Sequence, residues 1–438
     1  MKIDKDSYHK LFDTRFWSKL NESLVPFTDK PIDKKAFLNE LYELITDFTY
    51  SPSHPREYII QNKHNGIARY IPTFSRKDYC VYYLCIKLLE NEIATNRVPG
   101  TFGGWTLGNP IRLKEEQELL ELDYIPFNTL NELAWSNEWQ NFQNVIRKHK
   151  DIDNYTYFVN LDIANFYDTI NLTILERKIR HIIPKNKQEV VTLLMHFLSG
   201  WNKKLEGYNL KTIGIPQDEI GDISRILANF YLQDYDYILK EICESYGAKY
   251  VRFSDDQVIF AKSKEDARKI LFEASTNLFK INLNVNSGKV KEYDSKDLFE
   301  KYWAFEIFDL LKDKEDKTKI NAALKLYFQF KNENINFRDS SVLKRFLSMN
   351  PALIELEYKH KILAIFYNID VLATLNLWHF RRIRLFANND TDFFALLDSL
   401  IPTAIFNSYL FHLLQFYLRD RNGEKADLIT KRLKELKK

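Results

Sequence analysis

Cysteine is scarce in this sequence, and the few cysteines present are not arranged for a disulfide framework or a zinc site. The 438 residues contain three cysteines, Cys80, Cys85 and Cys243, and no two of them form a CxxC pair. Disulfide scaffolds and structural zinc sites need paired or clustered cysteines, so both classes are excluded. The pattern predicts a reducing, cytoplasmic location.

Long apolar runs and a strong net charge are also missing. Residues 1–6 carry four charged side chains, so the apolar core of a signal peptide is absent there. The stretch 401–418 has no charge but is interrupted by polar residues such as Asn407 and His412, which predicts a buried helix and no membrane contact. A formal net charge of +3 excludes a protein that coats nucleic acid along its whole surface.

Glycine is unevenly distributed. Gly423 is the only glycine after Val290, and long segments of helical periodicity such as 317–331 dominate that region. Few turns and many large apolar side chains predict an all-α C-terminal domain. Residues 100–108 instead hold four of the twelve glycines. Their spacing fits no phosphate-binding motif, and we predict a structural turn.

Between residues 155 and 290, short apolar strands alternate with amphipathic helices, a pattern typical of a mixed α/β layer. One strand, starting at Phe158, ends on Asp162, and a second, starting at Tyr250, leads to the adjacent pair Asp255 and Asp256. An isolated Asp-Asp pair is usually only a turn. If the two strands lie side by side, however, the three carboxylates converge.

Converging carboxylates repel one another unless cations are bound between them. Nucleotidyl transfer requires activation of a 3′-hydroxyl and neutralisation of phosphate charge, and two Mg²⁺ ions held by aspartates achieve both. The sequence therefore predicts a two-metal polymerase site at Asp162, Asp255 and Asp256, with Mn²⁺ as a possible substitute for Mg²⁺. Nucleotide cyclases and viral RNA polymerases share this architecture, but their Gly-Gly-Asp/Glu-Glu-Phe and Gly-Asp-Asp strings are absent.

Three segments resemble the palm motifs of reverse transcriptases, specifically the divergent bacterial group that includes abortive-infection and other phage-defence enzymes. Residues 162–168 are similar to the first motif, 214–217 with the helix to Asn229 to the second, and 253–256 to the third. The resemblance covers roughly residues 63–290. It departs from the common pattern at Asp218, where most members have glycine, and at Phe253-Ser254, which replaces Tyr-Ala.

This resemblance implies roles for particular residues. The three aspartates are implied as catalytic residues and, together with Ile163, as metal ligands. An aromatic residue five positions after the first aspartate stacks under the incoming sugar in the family, so Tyr167 is implied as a steric gate that favours deoxynucleotides. The other residues implied to bind the nucleotide are Lys63, Arg69, Gln217 and Lys289, with Lys289 assisting pyrophosphate departure.

The implied fold is α+β, a right-hand polymerase of the reverse-transcriptase type. We expect fingers with an N-terminal helical extension over 1–154, a palm over 155–294, and a helical, thumb-like or stacked-helix domain over 295–438. The implied activity is that of a magnesium-dependent, RNA-binding, RNA-directed DNA polymerase (a nucleotidyltransferase) in bacterial antiviral defence.

The partners implied by the resemblance are dNTPs, an RNA template or nascent DNA, a dedicated non-coding RNA, and further copies of the chain in a homo-oligomer. Two alternatives remain open. One is template-independent, protein-primed DNA synthesis of the abortive-infection type, which the altered second motif and the helical C-terminal domain favour slightly. The other is a non-catalytic palm that serves as a scaffold in a defence complex.

Overall fold

The chain folds into two compact units, each with its own apolar interior. The computed structural model describes residues 1–27, 32–64, 66–108, 110–114, 118–124, 133–152, 155–202, 214–219, 223–387 and 389–437. The first unit comprises Met1–Glu57 with Pro72–Lys296, and the second comprises Tyr58–Ile71 with Asp297–Lys438. The division into fingers, palm and thumb-like domains stays a prediction.

The strands within the described residues form three sheets. They are β1 (Glu57–His64), β2 (Ile67–Thr73), β3 (Thr101–Phe102), β4 (Arg112–Leu113), β5 (Leu122–Tyr124), β6 (Tyr157–Leu161), β7 (Lys249–Phe253), β8 (Asp256–Ala261) and β9 (Lys291–Tyr293). β1 pairs with β2, and β4 with β5. The other five strands form the central sheet of the first unit, in the order β3-β7-β8-β6-β9.

Most strands of the central sheet run antiparallel to their neighbours. β6 lies between β8 and β9 and is antiparallel to both, and β7 is antiparallel to β8. β3 is the exception, because it pairs with β7 in the parallel direction. The sheet is therefore mostly antiparallel, with β7 and β8 as its one pair of consecutive strands among the described residues and one short edge strand supplied by the glycine-dense segment.

Helices make up most of the remaining structure. In the first unit they are α1 (Lys5–Leu11), α2 (Thr14–Asn21), α3 (Lys34–Thr46), α4 (Arg76–Thr95), α5 (Trp135–Ile152), α6 (Phe166–Thr169), α7 (Leu172–Ile182), α8 (Gln188–Gly200), α9 (Ile223–Tyr231), α10 (Gln233–Ser245) and α11 (Lys264–Lys280). Single 3₁₀ turns cover Lys185–Lys187 and Ser287–Lys289.

From α12 onward the described chain is helical. These helices are α12 (Lys296–Trp303), α13 (Phe305–Leu310), α14 (Lys317–Asn332), α15 (Asp339–Phe346), α16 (Leu356–Phe366), α17 (Ile369–Leu372), α18 (Leu377–Phe386), α19 (Asp390–Leu400), α20 (Asn407–Asp420) and α21 (Ala426–Leu436), with a 3₁₀ turn at Pro351–Leu353. The predicted all-α C-terminal region is confirmed. No helix in the described part of the chain combines the length and hydropathy that crossing a membrane requires.

Local sequence explains α11, which covers one face of the central sheet. Ser263 caps the helix, because its side chain accepts a hydrogen bond from the Asp266 N–H. Ala267, Ile270 and Leu278 are buried at helical spacing and point toward the sheet.

In the second unit, the β1-β2 hairpin packs with the C-terminal helices. The Asn407 side chain, at the start of α20, accepts a hydrogen bond from the Ile60 N–H and donates one to the Tyr58 carbonyl at 2.8 Å. An asparagine that satisfies both a donor and an acceptor of a neighbouring strand fixes that strand in place. Sequence periodicity gave no sign of this association.

Candidate polymerase active site

A two-residue turn places the aspartate pair at the end of the central sheet. Phe253 pairs with Asp256 across β7 and β8, so only Ser254 and Asp255 lie in the turn. Ser254 has a φ of 55°. A positive φ at the first turn residue is characteristic of the tight hairpin turns whose twist matches that of the flanking strands. The turn therefore presents Asp255 and Asp256 next to each other.

The third aspartate leaves the neighbouring strand at the same end of the sheet. The last paired residues of β6 and β8 are Leu161 and Gln257. Asp162 directly follows Leu161, and Asp256 directly precedes Gln257, so the antiparallel register brings these two aspartates alongside each other. Asp162 is only 8% exposed. The structure thus brings together all three predicted aspartates, whose catalytic role stays a prediction.

The electrostatics of the site reflect this convergence. Burial raises the pKa of Asp255 to about 7, and the carboxylates of Asp256 and Asp162 act in the same direction. The ammonium of Lys289 acts in the opposite direction. Neighbouring carboxylates raise a pKa only when they lie close enough to repel its charged form. The site consequently holds negative charge that a bound cation would relieve.

Lys289 lies directly at this cluster. Its Nζ atom is 3.0 Å from Oδ2 of Asp162, and the Asn286 side chain donates a hydrogen bond to the same oxygen at 3.0 Å. With the side chains in this arrangement, no three carboxylate, histidine or cysteine groups of the described residues are placed to share a metal ion. Binding of a metal ion by Asp162 would thus require the Lys289 ammonium to move away from its carboxylate.

The donor atoms nevertheless fit Mg²⁺ or Mn²⁺, because all of them are oxygens. Ile163 adds a main-chain oxygen to this set. Asp162 and Ala164 direct their backbone groups toward the segment around Val285, with hydrogen bonds from Asn286 N to Asp162 O and from Ala164 N to Asn284 O, both at 2.8 Å. Since backbone groups alternate sides along a strand, the Ile163 carbonyl points to the opposite side, where β8 lies.

Tyr167 connects the three motif segments. The Ser254 side chain hydrogen-bonds to its hydroxyl, and burial raises the pKa of the phenol, with Asp255 and Asp218 acting in the same direction and Arg225 against them. The ring is partly buried. Tyr167 thus lies beside the aspartate turn, the location expected for a side chain that excludes a ribose 2′-hydroxyl. Its role in sugar selection stays a prediction.

The loop at 214–219 is pressed against the backbone of Tyr167. A Cβ atom at Gly214 would lie 2.0 Å from the Tyr167 carbonyl oxygen, and the Ile215 N–H donates to that oxygen at 3.0 Å. Only glycine permits this approach. Gln217 lies half-buried in the same loop; its contact with a nucleotide stays a prediction.

Asp218, which departs from the family pattern, has a structural partner. Its Oδ1 atom accepts a hydrogen bond from the Ser224 N–H, at the start of α9, at 3.1 Å. A carboxylate at a helix N-terminus is favourable because it meets unpaired N–H groups there. The extra negative charge beside Tyr167 is therefore partly compensated by α9.

Sequence reasoning missed Arg252, which supports the aspartate turn from beneath. This residue is completely buried. Its Nε and Nη2 atoms contact the two carboxylate oxygens of Asp236 at 2.7 and 2.6 Å, and Nη1 donates to the Ser254 carbonyl at 2.7 Å and to Oδ1 of Asn229 at 2.8 Å. One guanidinium thus joins the turn to α9 and α10. The available signal was a charged side chain between the apolar residues Val251 and Phe253.

The glycine-dense segment is also part of the site, whereas its sequence predicted only a structural turn. The Ser254 N–H donates to the Phe102 carbonyl at 3.1 Å, which attaches β3 to the aspartate turn. A Cβ atom at Gly103 would lie 2.9 Å from the Ser254 nitrogen. Asn229 donates from Nδ2 to the Gly104 carbonyl at 3.0 Å. The glycines therefore allow a backbone to pack directly behind Ser254.

Lys63 and Arg69, which are predicted to bind the nucleotide, belong to the second compact unit. Lys63 is on β1 and Arg69 on β2, both exposed, in the compact unit that contains the C-terminal helices. Their contact with a nucleotide stays a prediction.

Comparison with known proteins finds a family similar to the middle of the chain. Residues 119–321 match the sequence model of the family described as reverse transcriptase (RNA-dependent DNA polymerase). No curated protein matches the sequence.

Among solved structures, apo telomerase from Candida tropicalis is 15% identical, with 92% of this chain and 71% of that chain covered and a TM-score of 0.37. Telomerase from Candida albicans, in complex with a fragment of telomeric RNA, is 10% identical, with 90% and 70% covered and a TM-score of 0.36. A Candida tropicalis telomerase truncated from its C-terminal domain is 15% identical, with 59% of this chain covered and a TM-score of 0.34. This chain spans 55% of the length of that truncated protein.

The matched residues include all three aspartates and the strands next to them. The predicted fold class, a reverse-transcriptase-type α+β polymerase followed by a helical C-terminal region, is confirmed. Residues 119–321 of this chain are therefore similar to a reverse transcriptase domain.

Proposed function

We propose that this protein is a two-metal DNA polymerase that adds deoxynucleotides to a growing strand, copies an RNA template, and acts in bacterial antiviral defence. One observation carries the catalytic part of the proposal: Asp162, Asp255 and Asp256 converge at one end of the central sheet. Three buried or half-buried carboxylates that repel one another are costly unless cations bind between them. A scaffold has no use for such an arrangement.

In this mechanism the three aspartates and the Ile163 carbonyl would hold two divalent cations. When bound, such cations activate the attacking hydroxyl and neutralise charge on the transferring phosphate. Lys289 leaves Asp162 and donates a hydrogen bond to the departing pyrophosphate. Tyr167, held by Ser254, forms a wall that a 2′-hydroxyl would contact. The hydrogen bonds of Arg252 keep the turn rigid, so little reorganisation precedes the reaction.

The defence role, and with it a cytoplasmic location, a dedicated non-coding RNA and self-association, rests on the similarity of the three motif segments to the divergent bacterial group. The departures at Asp218 and Ser254 are compatible with that group, since the aspartate pair itself is retained. A plating assay with phage on cells that express the wild-type chain or the Asp255→Asn variant tests this part. Equal plating on both would contradict the defence role.

Nucleotide incorporation tests the catalytic part. Purified protein is incubated with Mg²⁺ and each labelled dNTP or rNTP, with an RNA template and primer, and again after RNase treatment. Wild type should incorporate dNTPs, and Asp255→Asn should reduce incorporation at least about a hundredfold, because one metal ligand loses its charge. Asp313→Asn, an exposed aspartate before α14, is the matched control and should be unaffected.

Each alternative predicts its own result in this assay. Incorporation that survives RNase and needs no added template would support untemplated synthesis. Absence of incorporation by a folded wild-type protein with every nucleotide would support the non-catalytic scaffold and overturn the polymerase proposal.

A further inference from the structure

An exposed indole lies next to the aspartate turn. Trp135, the first residue of α5, is 42% exposed. Its ring packs edge-on against Phe253, with the centroids 6.1 Å apart and the planes at 78°. Phe253 immediately precedes Ser254, the first residue of the turn. Trp135 therefore exposes part of its ring to solvent while it contacts the residue next to the aspartate turn.

An arginine from the second motif segment lies over this indole. The guanidinium carbon of Arg225, in the first turn of α9, is 5.6 Å from the centre of the Trp135 ring. Arg225 also acts on Tyr167 electrostatically, since its positive charge lowers the pKa of the phenol against the effect of burial. Arg225 thus lies over the exposed indole and is close enough to the tyrosine beside the aspartate turn to act on it electrostatically.

The backbone of the glycine-dense segment lies next to both side chains. A Cβ atom at Gly104 would lie 3.6 Å from Cβ of Trp135 and 3.7 Å from Cδ of Arg225. The Gly104 carbonyl is itself fixed by Asn229, and the next N–H, of Trp105, donates to the Leu133 carbonyl at 3.1 Å. The backbone of this segment therefore packs against the Trp135–Arg225 pair. The same segment is hydrogen-bonded to the β7-β8 hairpin, because the Ser254 N–H donates to the Phe102 carbonyl.

This combination suits a nucleic-acid strand. An exposed aromatic face stacks on bases regardless of their identity, and a guanidinium contacts backbone phosphates or stacks on a base. Arginine–tryptophan pairs on protein surfaces usually serve only local packing. Here the location of the pair favours nucleic-acid binding over local packing. Trp135 contacts Phe253, the residue before the aspartate turn, and Arg225 acts electrostatically on Tyr167 beside that turn.

We propose that Trp135 and Arg225 form a binding subsite for the nucleic-acid strand beside the three aspartates, in which the indole stacks on a nucleobase and the guanidinium contacts a backbone phosphate. This inference rests on the proposed polymerase function and adds a contact between the protein and the nucleic-acid strand. The chemistry does not depend on base identity, so the subsite should bind without sequence preference.

The test measures binding without catalysis. A fluorescein-labelled RNA–DNA primer–template is titrated with protein in EDTA, and its anisotropy is followed at several salt concentrations. Trp135→Ala should weaken binding by about tenfold or more. Arg225→Met should reduce the slope of log K against log salt by about one, as expected for loss of one phosphate contact.

Matched controls come from a second exposed aromatic and arginine on α11. Phe272 is 68% exposed, and Arg268 lies on the same helix with most of its side chain in solvent. Phe272→Ala and Arg268→Met make the same chemical changes away from the aspartates and should leave both affinity and salt slope unchanged. Equal losses in the control variants would overturn the proposal, because the effect would then be a general property of surface aromatics and arginines.

A second measurement does not depend on how well the alanine variant folds. The conservative variant Trp135→Phe removes one fluorophore and keeps an aromatic ring. If Trp135 stacks on a base, addition of the unlabelled primer–template should quench the tryptophan emission of wild type more than that of Trp135→Phe. Equal quenching, with dNTP incorporation by wild type intact, would overturn the subsite and leave the polymerase function standing. Failure of wild type both to bind and to incorporate would overturn both.

Discussion

The ammonium of Lys289 lies 3.0 Å from the carboxylate of Asp162, which holds a cation in the proposed mechanism. We therefore expect Lys289→Met to lower the Mg²⁺ concentration required for half-maximal activity about two- to fivefold, because a half-exposed ion pair is worth up to about 1 kcal/mol. Its maximal rate should fall, since pyrophosphate departure loses a donor. Incorporation measured across a Mg²⁺ titration checks both effects, with Lys264→Met on α11 as the control. An unchanged Mg²⁺ requirement would contradict competition at Asp162.

Tyr167 is predicted to select the sugar, because its hydroxyl lies within reach of Ser254, the residue before Asp255. Tyr167→Val removes the wall and should raise the ratio of kcat/KM for an rNTP to that for the matching dNTP by about tenfold or more, the effect of about 1.4 kcal/mol of lost discrimination. Single-nucleotide incorporation kinetics measure this ratio. Tyr237→Ala, which removes an exposed tyrosine on α10, is the control. An unaltered ratio would rule out the gate.

Gly214 permits the contact between its loop and Tyr167. Gly214→Ala places a methyl group 2.0 Å from the Tyr167 carbonyl oxygen, so the loop must move away. We expect a higher KM for dNTPs with a smaller change in kcat, because the loop carries the predicted nucleotide contact Gln217. Steady-state kinetics distinguish the two parameters.

The control for this substitution is Gly423→Ala. Gly423 has a φ of +81° and an ordinary 3.7 Å neighbour, Leu418, so alanine there introduces backbone strain without a clash. It should lower stability by about 1 kcal/mol and leave KM unchanged. If both variants alter KM equally, the loop contact is not responsible.

We expect Arg252 to stabilise the protein and to position the aspartate turn, although it lies beneath that turn. Arg252→Met leaves the buried carboxylate of Asp236 without its partner and should lower the free energy of unfolding by about 3–5 kcal/mol. Adding Asp236→Asn should restore part of that loss. Urea denaturation of the single and double variants measures the coupling, with the exposed pair Lys301 and Asp297 on α12 as the control.

Activity separates the two roles of Arg252. Arg252→Lys keeps the charge but cannot hold Asp236, Asn229 and Ser254 together. We expect its kcat to fall more than its stability, with KM for dNTPs little changed. Full activity in a folded Arg252→Lys protein would show that the hydrogen bond to the Ser254 carbonyl does not position the turn.

His412, on α20 of the second unit, predicts an acid-sensitive stability. Burial lowers the pKa of His412 to about 4, and the neighbouring His379 acts in the same direction. Because the unfolded chain takes up the proton near pH 6.5, folding stability is lost as the pH falls from about 6.5 to about 4, by up to about 3 kcal/mol.

Substitution tests this assignment. His412→Gln should reduce the loss of stability between pH 7 and pH 4.5, whereas His360→Gln, an exposed histidine on α16, should not. Urea denaturation followed by circular dichroism at both pH values measures the difference. Parallel pH profiles of wild type and His412→Gln would contradict the prediction.

Local sequence predicted the elements that carry the chemistry. Alternating apolar residues before Asp162 and before Asp255 indicate two strands that end on carboxylates. The near absence of glycine after Val290 predicts the helical region in the same way. These features depend on neighbours along the chain, so periodicity and turn chemistry are sufficient to find them.

Other features were decided only by the tertiary structure. The pairing of Lys289 with Asp162, the burial of Arg252 beneath the turn, and the packing of Gly103 behind Ser254 each join segments far apart in the chain. Sequence alone established which residues carry the charge and which segments form strands and helices. Which charges meet depends on the register between strands and on the packing of helices against them, and no local pattern encodes contacts of that kind.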